Sequence, residues 1–97
     1  MRVEWRPLAN EDLASIRRYI ARDDKVQARR FGAELRSRVK VLSDHPELGR
    51  PLDMDVPPGV RVLVLHANYL AYYRIIDADG EPAVQVLRVK HAAQERV

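Results

Sequence analysis

Four arginines and one histidine are the residues of this chain best suited to chemistry on an anion. Arg50 lies in a Pro/Gly-rich stretch, Arg61, Arg74 and Arg88 each interrupt an apolar segment, and His91 follows directly after the last of these. Cleaving a phosphodiester needs a group to activate a hydroxyl, cations to stabilise the charge of the transition state, and an acid for the leaving oxygen. His91 with Arg61 and Arg74 supplies those parts if the strand register brings them together. The plainer alternative is that such arginines are exposed, or pair with carboxylates such as Asp53, Asp55 or Glu81. Tyr69, Tyr72 and Tyr73 admit the same two kinds of reading, cross-strand packing or a platform for stacking bases. Other chemistries lack their parts. There is no Gly-rich phosphate loop and no H-E-x-x-H, and His45, His66 and His91 do not have metal-ligand spacing. Ser15, Ser37 and Ser43 all fall in helical pattern with no nucleophile elbow, and cysteine is absent. No metal or cofactor is expected.

The elements that must position these residues follow from hydrophobic spacing. Arg2 to Arg6 alternates polar and apolar and reads as a short strand with Val3 and Trp5 on one face. From Pro7 the period changes. Ala9, Leu13, Ile16 and Ile20 mark a helix to about Arg22, with Pro7 in its first turn and Glu11 and Asp12 favoured near its positive end. Asp23 and Asp24 interrupt the pattern and offer an N-cap, after which Ala28, Phe31, Leu35, Val39 and Leu42 define a second helix to about Asp44. The short connection predicts an antiparallel helical hairpin. Residues 44–59, rich in Pro and Gly, read as a long loop. Val60 to Leu65, Tyr69 to Ile76 and Ala83 to Lys90 read as strands, the last two joined by a turn at Asp77 to Gly80. The expected fold class is therefore α+β: one strand, a helical hairpin, then a three-stranded antiparallel meander, with the hairpin on one face of the sheet.

Ninety-seven residues suit a single domain with a thin core. The absence of cysteine, of a basic-then-apolar leader and of any long apolar run points to a cytoplasmic protein and against a membrane span. Of 17 basic residues 14 are arginine, and net charge divides unevenly, +5 over residues 1–43 and −2 over residues 44–97. The total of +3 is too small for a general nucleic-acid binder, so direct nucleic-acid binding is not expected. On a helical wheel Lys25, Arg29, Arg36 and Lys40 form one stripe, with Arg30 and Arg38 outside it. That stripe is either an ordinary solvated face or a docking surface for acidic groups.

With these elements in place, the residues in order are informative. Trp5 precedes Glu11-Asp12-Leu13 and Tyr19-Ile20; Phe31 and Leu35 lead to His45-Pro46; then come Gly49-Arg50-Pro51, Gly59-Val60-Arg61, Tyr72-Tyr73-Arg74-Ile75, and Val86 through His91. In that order and spacing, over about Val3 to Gln94, the chain resembles the ParE/RelE superfamily of bacterial toxin–antitoxin toxins. The resemblance implies a β-α-α-β-β-β fold and one of two activities. RelE-like members are ribosome-dependent mRNA endonucleases; ParE-like members poison DNA gyrase and are not enzymes. The nuclease branch typically has an arginine directly after the tyrosine opening the middle strand, and a tyrosine in the tail. Here Tyr69 is followed by Leu70, and after His91 come only Ala92, Ala93, Gln94, Glu95, Arg96 and Val97.

The resemblance therefore favours the ParE-like branch: a toxin that binds gyrase and stabilises its cleaved-DNA state. The runner-up is the nuclease, with His91, Arg61 and Arg74 as its site, and a third possibility is an inactive binding module. A ParD-like antitoxin, with a ribbon-helix-helix N-terminus and a C-terminal segment that folds on the toxin, is the implied partner in a hetero-oligomer. Expected antitoxin contacts are Lys25, Arg29, Arg30, Arg36 and Lys40 for charge and Leu13, Ile16 and Phe31 for apolar docking. Expected target contacts are Arg61, Arg74, Arg88, Lys90 and His91.

Overall fold

The computed structural model describes residues 1–52, 58–66 and 68–95. Asp53 and Asp55, expected above as arginine partners, and the terminal Arg96 and Val97 lie outside them. The elements run β1 (Arg2–Trp5), α1 (Pro7–Ala21), α2 (Lys25–Lys40), β2 (Arg50–Pro51), β3 (Arg61–His66), β4 (Tyr69–Ala78) and β5 (Glu81–His91), with short 3-10 turns at Val41–Ser43 and Ala92–Glu95. The expected fold class holds, with two additions. Arg50–Pro51 forms a two-residue edge strand where a loop was expected, antiparallel to β3, at a position where proline's missing N–H costs no central ladder bond. The sheet order is β1-β5-β4-β3-β2, so the first strand lies beside the last, and parallel to it.

Each helix starts for a local reason. Pro7 occupies the first turn of α1 behind an extended Arg6, whose side chain makes no capping bond. No acid stands in that first turn. Glu11 and Asp12 lie a turn further in, too deep to serve the helix N-terminus as expected from sequence, and both have arginine partners instead: Arg18 for Glu11 and Arg88 for Asp12. For α2 the expected cap is present, the Asp24 carboxylate accepting from Gln27 N–H at 3.0 Å. The turn between β4 and β5 places Asp79 and Gly80 at φ of 55° and 84°, a two-residue hairpin loop needing positive φ at both positions.

The core lies between the hairpin and one face of the sheet. Ala9, Leu13, Leu35, Val39 and Leu42 meet Leu65, Ala71, Tyr73, Val84, Val86 and Val89, with Val3, Trp5, Ile16 and Phe31 packed around them. Burying each leucine contributes roughly 1.5–3 kcal/mol. Two bulges shift the register, between Val64 and His66 in β3 and between Tyr72 and Tyr73 in β4. The second inserts Leu87 into β5, so that Val86 and Val89, three residues apart, both face the core opposite Tyr73 and Ala71.

Candidate functional site

β1 pairs with β5 only as far as Val86, and Arg6 N–H closes that ladder on Val86 C=O. Beyond it the edge of β5 is open, and α1 crosses there. Asp12 takes over as acceptor: Oδ2 accepts from Val89 N–H at 2.9 Å, and the two carboxylate oxygens take a two-pronged bond from Arg88 at 2.8 and 3.0 Å. Burial alone would push the Asp12 carboxyl up. The bonds from Arg88 and Val89, with the charges of Arg88 and Lys90, outweigh it and hold the carboxyl below its ordinary value. Arg88 pairs with Tyr72 on the sheet face away from the helices, so its guanidinium reaches Asp12 around the open edge.

Beside this corner is a cleft of about 370 Å³ lined by Asp12, Ser15, Ile16, Tyr19, Tyr69, Val89 and His91. Two of its lining residues, Tyr69 and His91, end a relay of edge-to-face rings that runs on behind it. His66 meets Phe31 at 5.4 Å, Phe31 meets Tyr69 at 5.3 Å, and Tyr69 meets His91 at 5.1 Å. Burial, and secondarily the nearby Tyr19, raises the Tyr69 hydroxyl above the usual tyrosine value. His91 Nδ1 accepts from Ala93 N–H at 3.1 Å.

At the other end of the sheet Arg61 and Tyr73 hold the chain before β2. Tyr73 is fully buried; its hydroxyl donates to Pro46 C=O at 2.7 Å and accepts from Gly49 N–H at 2.8 Å. Burial raises this hydroxyl's pKa, against the Gly49 bond and the Arg61 charge, which lower it. Arg61 donates to Gly49 C=O at 2.7 Å and Glu47 C=O at 3.2 Å. Any Cβ at Gly49 would lie 2.7 Å from the Tyr73 hydroxyl and 2.8 Å from Val62 C=O.

The register answers whether the nuclease trio converges. Arg61 pairs with Tyr73, and Arg74, the next residue, points to the opposite face, where it bonds Gln85 at 2.8 Å. His91 pairs with Tyr69, four residues back along β4, roughly 14 Å at ~3.4 Å per residue. Their spacing along the chain had left this open, because only pairing decides it.

The five expected target contacts are therefore dispersed. Arg61 is turned inward onto carbonyls, Arg88 onto Asp12, and His91 lines the cleft. Arg74 and Lys90 lie on the sheet face that the helices leave uncovered. Lys90 is in line with Leu70 and Val64, and Arg50, paired with Val62, lies on that face at its edge.

The helical hairpin carries the cationic groups as expected, but not all the apolar ones. Lys25 and Arg29, with Arg17 and Arg18, wall a groove of about 330 Å³ floored by Ala14, Ala21 and Ala28. Arg30 is exposed beside them. Arg36 and Lys40 line a second hollow, where the Arg36 guanidinium stacks 4.7 Å over Trp5 and donates to Asn10 at 3.3 Å. The expectation for Leu13 is corrected: it has no exposed surface, because its side chain is part of the core. Ile16 and Phe31 are also packed on that core. The large apolar groups that the helices leave exposed are Leu8, Tyr19 and Val26, which fall off the core spacing and were missed for that reason.

Among the described residues no cluster of three or more His, Asp or Glu is placed to hold a metal, and no helix is long and apolar enough to cross a membrane. A helical hairpin on one face of a mixed five-stranded sheet is the α+β fold shared with ParE/RelE toxins. The family model of the ParE toxin of the type II toxin–antitoxin system parDE matches residues 3–96, and the chain belongs to this family. It is 34% identical over 90 residues to Toxin RelE2 of Caulobacter vibrioides, covering 93% of this chain and 91% of that one. Among solved structures it resembles a chain of the chromosomal ParDE system of P. aeruginosa, at 27% identity and a TM-score of 0.74 over 94% of this chain and 95% of that. It also resembles a chain of the RelBE2 toxin–antitoxin complex of Mycobacterium tuberculosis, at 25% identity and 0.60 over 93% and 95%.

Proposed function

We propose that this toxin arrests growth by binding DNA gyrase and stabilising its cleaved-DNA state, with no bond-breaking chemistry of its own. The observation that supports this most is the scatter of its arginines. A phosphodiester-cleaving site needs its cations and its proton-transfer group within a few ångströms of one phosphate. Here Arg61 is spent on carbonyls, Arg74 lies on the other face, and His91 is several residues away along the sheet. The position directly after Tyr69 carries Leu70, between Val64 and Lys90, where the nuclease branch typically has arginine.

In this reading a ParD-like antitoxin neutralises the toxin in the cytoplasm by folding an acidic segment over the cationic face of the hairpin, from the groove at Lys25 and Arg29 past Arg30 to the separate hollow at Arg36 and Lys40. The target is met by the uncovered sheet face, through Arg74 and Lys90. Arg88 belongs to the scaffold of that face. Reversing its charge would set two carboxylates together at Asp12, so Lys90→Glu is the cleaner probe of target contact. It should weaken growth arrest with antitoxin affinity unchanged.

The test is a supercoiled plasmid incubated with gyrase, ATP and toxin freed of antitoxin, scored for linear DNA after denaturant and protease. Accumulated cleavage complexes support the proposal; a folded toxin that arrests cells but leaves gyrase unaffected removes it. A second reading, ribosome-dependent mRNA cleavage, is favoured by the kinship with Toxin RelE2 and by the cleft that joins His91 with Tyr69 and Tyr19. It requires that His91→Ala stop mRNA cleavage without unfolding the chain.

A further inference from the structure

The segment between α2 and β2 is held far more firmly than a connection requires. One bond would satisfy the buried Tyr73 hydroxyl, yet it makes two, and Arg61 adds two more to the carbonyls of Glu47 and Gly49. Leu48 N–H is closed on His45 C=O at 3.1 Å, and Leu52 N–H on Val60 C=O at 2.9 Å. The clamp satisfies the buried Tyr73 hydroxyl and buries Gly49, yet the segment's central apolar side chain is left out: Leu48 is 56% exposed. Arg50, two residues on, is exposed and has no ion pair among the described residues, although Arg61 and Arg88 in the same sheet are both engaged.

Register fixes where Arg50 is offered. Arg50 pairs with Val62, and Val62 with Tyr72, so Arg50 extends the uncovered sheet face to its edge, on the side opposite the helical hairpin. An exposed apolar side chain beside a planar cation, carried on a backbone that is already tied down, is the form of a protein-binding hot spot, because that backbone loses little entropy on docking.

We propose that residues 46–50 are a preorganised contact element for the toxin's protein target, with Leu48 entering an apolar pocket and Arg50 meeting a carboxylate at that pocket's rim. Arg61 and Tyr73 are its positioning residues, acting through the loop they clamp. The inference rests on the reading that the toxin acts by binding a protein. The antitoxin is not the occupant, because the cationic groove that suits an acidic segment is on the opposite layer.

The test uses the full chain with the doubly substituted variant Leu48→Glu, Arg50→Glu and the milder Leu48→Ala. Growth arrest on induction, gyrase binding by purified toxin, antitoxin affinity and thermal midpoint are measured on each. The double variant should keep its midpoint and its antitoxin affinity, lose growth arrest, and bind target at least ~30-fold more weakly. Arg61→Gln should release target faster with antitoxin affinity unchanged, an effect that loss of fold alone would not give. Growth arrest that survives in the double variant overturns the inference. So does antitoxin affinity that falls in parallel, which would assign the loop to the antitoxin, or loss of mRNA cleavage by a toxin shown to cleave it, which would make the loop an RNA contact. If wild-type toxin ignores gyrase while the double variant still loses growth arrest, the gyrase reading fails and the contact element stands for another protein.

Discussion

The two ends of the sheet each commit an arginine to holding a neighbouring segment, with different acceptors. At the β5 end Arg88 meets a carboxylate that also caps an open strand edge. At the β2 end Arg61 meets backbone carbonyls beside a buried tyrosine hydroxyl. The first joint is ionic and fixes a helix to a strand 76 residues away; the second is mostly neutral and fixes a loop to the strands that follow it. An arginine in a sheet is therefore not evidence of an anion site until its partner is known.

Either joint can be removed by a single substitution. The largest effect is expected for Asp12→Ala, which removes the two-pronged acceptor of Arg88 and the acceptor of Val89 N–H at once. Partners this buried typically cost 3–5 kcal/mol when broken, and the partial exposure of Arg88 reduces that to about 2 kcal/mol, read from the urea midpoint. Tyr73→Phe should cost about 1–2 kcal/mol by leaving Gly49 N–H unsatisfied, measured the same way.

The sharper contrast is in pH. Asp12 titrates below its ordinary 3.8 in the folded chain, so its contribution is complete above that value and is lost as pH falls through the folded pKa. Tyr73 titrates above its ordinary 10.0, so its contribution is complete below that value and is lost as pH rises through the folded pKa. Stability measured against pH should lose part of its acid limb in Asp12→Asn and part of its alkaline limb in Tyr73→Phe. Tyr69, raised by its own burial, keeps the remainder of the latter. The smallest effect is expected at Arg36→Ala, where an exposed cation over Trp5 is worth about 0.5–1 kcal/mol.

These same joints mark where the sequence stopped being legible. Helix spacing, the Asp24 cap and the Asp79–Gly80 turn are local, and each could be read from neighbouring residues. The partner of Arg88 could not, since nothing around Asp12 distinguishes a helical carboxylate facing solvent from one facing a strand. The inward turn of Arg61 was hidden likewise, because backbone carbonyls leave no mark in residue type. Leu13 was misassigned to docking because one apolar stripe cannot say which of its members stay outside. The cationic groove was legible as a stripe on α2, but its other wall, Arg17 and Arg18, comes from α1 and needed the hairpin to assemble.

The pairing of β1 with β5 carries a consequence for when this toxin becomes dangerous. Arg2–Trp5 are translated well before their strand partners Ala83–Val86, since Arg2 pairs with Ala83 far along the chain. Synthesis runs at about 5–20 residues per second, so for several seconds the nascent chain holds an N-terminal strand with nothing beside it, and Asp12 without Arg88. The sheet closes only once the final strand has left the ribosome. A chain interrupted before β5 lacks both the strand that β1 pairs with and the arginine that Asp12 holds, so the sheet and its ionic joint form together or not at all.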